Sequence, residues 1–168
     1  MILVSISSYS QTGEAFYKKA NEYYDKKDFK NALVQVDKAL ASDSINLDYL
    51  LTRGNSLFQL KEYQNSFTAF SKAIYYYPAS AIALNQRGIL LYAIQEFEYS
   101  IQDYTAALAL PKNDSLKLSL YINRGGSKLG LRNFQGAYDD FMRAYKINSF
   151  RGGNHKCNMN FMRDAFFH

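Results

Sequence analysis

The sequence predicts an all-α repeat array, a solenoid of antiparallel helix pairs. Three observations carry that prediction. Residues recur at a fixed spacing: Gly54 and Gly88 are 34 apart, as are Ala39, Ala73 and Ala107, and Phe29, Tyr63 and Phe97. Gly125, Phe134 and Ala144 come 37 residues after Gly88, Phe97 and Ala107, so three extra residues separate the last two units. Each unit also carries two apolar stripes of helical spacing, such as Leu50, Leu57 and Phe58, then Phe67, Phe70 and Ile74. Finally, small residues fall where two helices would cross, Ala20, Gly54, Gly88 and Gly125 on the first helix and Ala32, Ser66, Ser100 and Ala137 on the second. A mid-helix glycine costs about 1 kcal/mol against alanine, so a column of three needs a packing reason. A fixed period of this length means stacked supersecondary units rather than one globular core.

Taken in order, residues 1–12 read as an N-terminal arm or as the remnant of a truncated signal peptide. Ile2-Leu3-Val4 and Ile6, followed by Ser8-Tyr9-Ser10, resemble the end of a secretory leader, but a charged start and 7–15 apolar residues are missing. The first alternative fits a cytoplasmic protein, the second an exported or periplasmic one. The first unit, 13–46, reads Phe16-x2-Lys19-Ala20-x2-Tyr23 and then Ala32-x3-Val36. The second, 47–80, reads Leu50-x2-Arg53-Gly54-x2-Leu57, then Ser66-x3-Phe70 and Pro78. The third, 81–114, reads Leu84-x2-Arg87-Gly88-x2-Leu91 and then Ser100-x3-Tyr104. The fourth, 118–149, reads Tyr121-x2-Arg124-Gly125-x2-Lys128 and then Ala137-x3-Phe141. Breaks between paired helices are expected at Lys27-Asp28, Lys61-Glu62, Gln95-Glu96 and Arg132-Asn133. That gives eight helices and a ninth element in the tail, 150–168. There Cys157, Phe161 and Ala165, with Met162 and Phe166, space out as one face of a short helix. It would cap the stack, begin a further unit, or form the contact of a homodimer.

The pattern resembles the tetratricopeptide repeat family, whose 34-residue unit is a helix-turn-helix. The resemblance covers residues 13–149. Lys128 departs from it, standing where an aromatic or aliphatic residue is usual. Ser44 and Ser149 replace the usual proline, and Pro111 is one residue early. What the resemblance implies is a right-handed superhelical solenoid that acts as a non-catalytic protein-interaction scaffold. The first helix of each unit would line a concave groove for a peptide or helical segment of a partner. Carried to matching positions, the lining is Glu14, Tyr17, Asn21, Tyr24 and Asp25, then Asp48, Leu51, Asn55, Phe58 and Gln59. The third unit supplies Ile82, Asn85, Ile89, Tyr92 and Ala93, and the fourth Ser119, Ile122, Gly126, Leu129 and Gly130. The residues expected to carry binding are Tyr17, Asn21, Tyr24, Leu51, Asn55, Phe58, Asn85, Ile89, Tyr92 and Ile122. Amides can hydrogen-bond both donors and acceptors of a peptide backbone, and large aromatics are the usual material of binding hot spots. One branch of the family clamps a C-terminal carboxylate with Lys and Arg. If the first three units form the clamp, the matching positions hold Tyr17, Thr52, Ile82 and Gln86, and one unit later Leu51, Gln86, Ser119 and Asn123, which argues against that ligand.

Other chemistry is sparse. The only histidines are His155 and His168, and the only cysteine is Cys157. His155-x-Cys157 offers two ligands where a closed site needs four, so no metal and no cofactor is expected. There is no HExxH and no phosphate-binding glycine loop. No apolar run approaches the ~20 residues that span a bilayer. Charge is uneven: residues 1–110 hold 10 basic and 11 acidic side chains, residues 111–168 hold 10 and 4. The basic last third supports the alternative reading, an RNA-binding or enzyme-accessory protein sensitive at Lys117, Lys128, Arg132 and Lys156. Nucleic acid is not the expected partner, since the basic residues form no dense run. Arg87 with Asp103 and Arg124 with Asp140 are each 16 apart and are expected to pair. Arg53 lacks this partner 16 residues on, because Ala69 holds the equivalent place.

Overall fold

The computed structural model describes residues 3–110 and 113–150, and the side chains of 13–110 and 113–148. Among these residues there are eight helices and no strand: α1 (Leu3–Asp25), α2 (Phe29–Ser42), α3 (Leu47–Gln59), α4 (Tyr63–Tyr76), α5 (Ala81–Ala93), α6 (Phe97–Ala109), α7 (Asp114–Gly130) and α8 (Phe134–Phe150). Each helix packs on the next, and α1, α3, α5 and α7 also touch in sequence. The first helices therefore form one continuous face of the stack. The expected ninth element, with His155, Cys157 and Lys156, lies outside the described residues.

The breaks within units fall where the sequence places them. Lys27, Lys61, Gln95 and Arg132 all adopt left-handed backbone, with φ of 60°, 62°, 65° and 57°. In every case the next residue's amide reaches back over the turn, as Glu62 N–H does to the Leu57 carbonyl at 2.9 Å and Glu96 N–H to Leu91 at 2.8 Å. This closes carbonyls that a helix end otherwise leaves open. Five helices start on a side-chain cap: Asp28 for α2, Asn46 for α3, Ser80 for α5, Asn113 for α7 and Asn133 for α8. Each accepts an N–H of the first turn, which stabilises by about 1 kcal/mol against alanine.

Two boundaries differ from the sequence reading. α1 begins at Leu3, inside the stretch read as an arm. α7 begins at Asp114, so it has 17 residues where α3 and α5 have 13. The three extra residues add a turn to the start of α7 and leave the downstream packing in step.

The small-residue columns have the packing reason expected of them. A Cβ built on Gly88 would lie 2.6 Å from the Tyr104 ring, and one on Gly125 would lie 2.7 Å from the Phe141 ring. Gly54 stands in the same relation to Phe70. In units two to four the second helix thus sets an aromatic ring directly on the first helix's backbone. Phe70 and Tyr104 are almost completely buried; Ala39, Ala73 and Ala107 are buried at the contact with the following unit, and Ala144 is buried too. Ser66 Oγ donates to the Gly54 carbonyl at 2.8 Å, satisfying a hydroxyl that burial would otherwise strand.

An arginine column ties units together. Arg87 grips Asp103 through two bonds of 2.8 and 2.7 Å and reaches Ser71 of the previous unit at 3.1 Å. Arg124 does the same with Asp140 at 2.8 and 2.7 Å and with Thr105 at 3.0 Å. Both expected pairs form. Arg53 has no acid at the Ala69 place, as expected, and pairs instead with Asp37 of the previous unit at 2.8 Å. Asp37, Ser71 and Thr105 occupy one column, 34 residues apart. Arg53 uses the backward contact that its counterparts make as well, and it has only that one because Ala69 offers no carboxylate.

Candidate partner-binding groove

The face formed by α1, α3, α5 and α7 carries the predicted residues in rows. Tyr17, Asn21, Tyr24, Leu51, Asn55, Phe58, Asn85 and Ile89 are partly buried, while Tyr92 and Ile122 are 46% and 42% exposed. Ile89, Tyr92 and Ile122 come together around a cavity of about 420 Å³ between α5 and α7. Asn123 and Gly126 complete its walls, and the Tyr104 and Phe141 rings also line it. Gly126 keeps this cavity open: a Cβ there would meet only the Tyr92 ring, at 3.7 Å.

The remaining predicted aromatics have neighbours of their own. Tyr24 stands edge-on to Phe29 at 5.2 Å between centroids, Phe58 lies 6.0 Å from Tyr63, and Tyr92 lies 5.6 Å from Phe97. In all three units a groove aromatic rests on the aromatic that opens the second helix, so part of each ring braces the turn. Tyr17 packs against Tyr49 of the next unit at 4.9 Å. Burial raises the Tyr24 phenol above its ordinary value, with a hydrogen bond to Gln59 acting the other way. Burial also raises the Tyr49 phenol, helped by neighbouring Glu14, which lies 3.4 Å from its hydroxyl. These phenols stay neutral donors through the physiological range.

Amides bridge neighbouring units. Asn123 donates to Asn85 Oδ1 at 3.1 Å. Asn123 was not among the binding residues expected from the sequence, although it follows Ile122 directly. The acids of the row, Glu14, Asp25 and Asp48, are exposed, and none of the matched lining positions is basic. Among the described residues no group of three or more His, Cys, Asp or Glu could hold a metal, and no helix is long and apolar enough to cross a membrane.

In the described part of the basic last third, Arg124 and Lys128 are drawn inward. Asp140 is fully buried, and Arg124, Lys128 and Arg143 converge on it at 2.7, 2.8 and 3.4 Å. Burial pushes the Asp140 carboxyl up, but hydrogen bonds and charge from Arg124 and Lys128 outweigh it and hold the group below its ordinary value. Lys128 also donates to the Gly136 carbonyl at 3.3 Å. The family-atypical lysine is thus a structural ion-pair partner.

Comparison with known proteins agrees with this architecture. Residues 47–80 match the family model for the tetratricopeptide repeat. The crystal structure of MamA is similar with a TM-score of 0.77, at 19% identity over 88% of each chain. PilF of Pseudomonas aeruginosa is similar with a TM-score of 0.78, at 19% identity over 84% of this chain and 64% of that one. The first such domain of Spaghetti (RPAP3), bound to the HSP90 peptide SRMEEVD, gives 0.67 at 22% identity over 73% of this chain and 95% of its own. At these identities the likeness is one of fold. No curated protein sequence matches the chain.

Proposed function

Because the chain is built from tetratricopeptide repeats, we propose that it is a non-catalytic scaffold that binds a peptide or helical segment of a partner protein along the α1–α3–α5–α7 face. The observation that carries this reading is the cavity of about 420 Å³ bounded by Ile89, Tyr92, Ile122 and Gly126. It is large enough for one apolar side chain with its backbone, and exposed Tyr92 and Ile122 stand at its mouth. Asn21, Asn55 and Asn85 supply the backbone-reading groups, placed in two adjacent rows of the same face.

The Spaghetti domain is bound to the HSP90 peptide SRMEEVD. Here the positions matched to a carboxylate clamp carry Tyr17, Thr52, Ile82 and Gln86, none of them cationic. The segment bound by this chain is therefore read through its interior side chains. Binding resting on apolar and amide contacts depends weakly on salt. The rival reading through the basic third needs free cations and a steep salt dependence. Lys128 is engaged by Asp140, and Lys117 sits 3.6 Å from Asp114.

The test uses the intact chain as bait at low and high salt, with mass spectrometry of what is retained. The retained partner is then titrated against Tyr17→Ala, Asn55→Ala and Tyr92→Ala, with helicity checked by circular dichroism. Hot-spot truncation weakens binding by about tenfold or more. Unchanged affinity for all three variants overturns the groove. Retention that washes away with salt moves the site to the basic third.

A further inference from the structure

A second cavity, about 390 Å³, opens on the other side of α5. Arg87, Leu91 and Ile94 line it, and at 100° per residue they point away from Ile89 and Tyr92. Its walls are Tyr63 and Phe67 of α4 and Glu96, Tyr99 and Asp103 at the start of and along α6. Tyr99 is 59% exposed. The charge of the lining is one-sided. Arg87 and Asp103 neutralise each other, the Arg87 guanidinium being fixed by Asp103 and Ser71, so Glu96 leaves the cavity a net acid.

The fourth unit shows what chemistry this place takes. Thirty-seven residues on, Leu91 becomes Lys128, Asp103 becomes Asp140, Tyr99 becomes Gly136 and Arg87 becomes Arg124. There the Lys128 ammonium lies 2.8 Å from Asp140 Oδ2 and 3.3 Å from the Gly136 carbonyl. The chain fills the position with its own ammonium between units three and four. Between units two and three Leu91 leaves the counterpart position beside Asp103 open.

We infer that the α4–α6 cavity binds an alkylammonium group, presented as a lysine side chain by a partner polypeptide. Its methylene stem lies on Leu91 and Ile94, and its ammonium donates to Asp103, each of whose oxygens accepts only one bond from Arg87. Tyr63 and Tyr99 add cation–π attraction, and Glu96 supplies the long-range charge. Nothing in this assignment uses the α1–α3–α5–α7 groove, so the two sites stand or fall separately.

The experiment is an NMR titration of the full chain with Nα-acetyl-lysine methylamide, its Nε-acetylated form and n-butylammonium. Saturable shifts of the Leu91 methyls and the Tyr63 and Tyr99 rings are expected with the lysine probe, and none with the acetylated one. Leu91→Lys is expected to abolish binding by occupying the site from within. Tyr99→Ala, a change at an exposed position, weakens it roughly two- to fivefold, the range of one partly exposed cation–π contact. Should Leu91→Lys fail to fold, Glu96→Gln carries the test, and weaker binding is expected. Equal binding of the acetylated probe, an unaffected Leu91→Lys or Glu96→Gln variant, or no saturable shift in the parent chain overturns the inference. Tighter binding of n-butylammonium than of the lysine amide reassigns the site to a free amine and overturns the polypeptide source.

Discussion

Neighbouring glycines on α7 are expected to respond to the same substitution with opposite signs. Glycine to alanine inside a helix gains about 1 kcal/mol when nothing opposes it. Gly126→Ala meets only Tyr92, at 3.7 Å, an ordinary contact, so it keeps that gain. Gly125→Ala sets a methyl 2.7 Å from the Phe141 ring. Overpacking of this kind costs about 1–3 kcal/mol, leaving a net loss of up to about 2 kcal/mol. Gly88→Ala is worse placed: the methyl lies 2.6 Å from Tyr104, which is almost wholly buried and hydrogen-bonded to Ser100, so the ring has little room to retreat. The expected order of stability is Gly126→Ala above the parent chain, then Gly125→Ala, then Gly88→Ala. Urea unfolding followed by circular dichroism reads this directly. The comparison holds where the slope with denaturant stays constant, since repeat arrays can lose cooperativity unit by unit. A Gly88→Ala midpoint raised as much as that of Gly126→Ala refutes the reasoning, because the glycine column would then have no packing cause.

Three further outcomes concern polar groups. Asp140→Ala strands Arg124 and Lys128 and is expected to cost about 3–5 kcal/mol, whereas Asp37→Ala, at a pair 31% and 49% exposed, costs under about 1 kcal/mol. The folded Asp140 carboxyl sits below its ordinary value, so the unfolded chain takes up the proton first as pH falls. Its stabilisation is complete above the ordinary carboxylate range, near pH 4, and is lost as pH drops through the folded value; urea midpoints against pH should fall less in Asp140→Asn. Ser56 Oγ is buried with no hydrogen bond, while Ser127, its counterpart, donates to the Asn123 carbonyl at 3.1 Å and shares a 2.6 Å bond with Ser100. The register puts Ala32 where Ser56 would need that partner. Ser56→Ala is therefore expected to raise the melting midpoint, by about 1 kcal/mol equivalent, and Ser127→Ala to lower it by a similar amount.

The fold was legible because one period constrains many positions at once. Gly54, Gly88 and Gly125 marked the helix crossing, and the dipeptides from Lys27-Asp28 to Arg132-Asn133 marked the turns, since each column reports the same local geometry four times over. Departures from the period were less legible. The three-residue insertion could have gone into a loop, and it went into the first turn of α7 because Asn113 caps the helix there. The candidate groove residues were legible as a row on a helix face but not in their packing. Helical spacing places Tyr24, Phe58 and Tyr92 in one row, yet only packing shows that each leans on Phe29, Tyr63 or Phe97. Asp37 escaped notice for a related reason: the pairing rule looked 16 residues forward within a unit, while the same distance backward crosses into the previous one.

That backward reach gives the array an order. Arg87 and Arg124 carry a carboxylate inside their own units and could follow any neighbour. Arg53 keeps its ion pair only behind the first unit, because its own unit offers Ala69 and its acid comes from the unit before. Placed after the third unit, it would face the Thr105 column position and find no counter-charge. The sequence of units is thus written into the chain as a dependency between adjacent members, and a permuted array would keep every helix while misspelling that single junction.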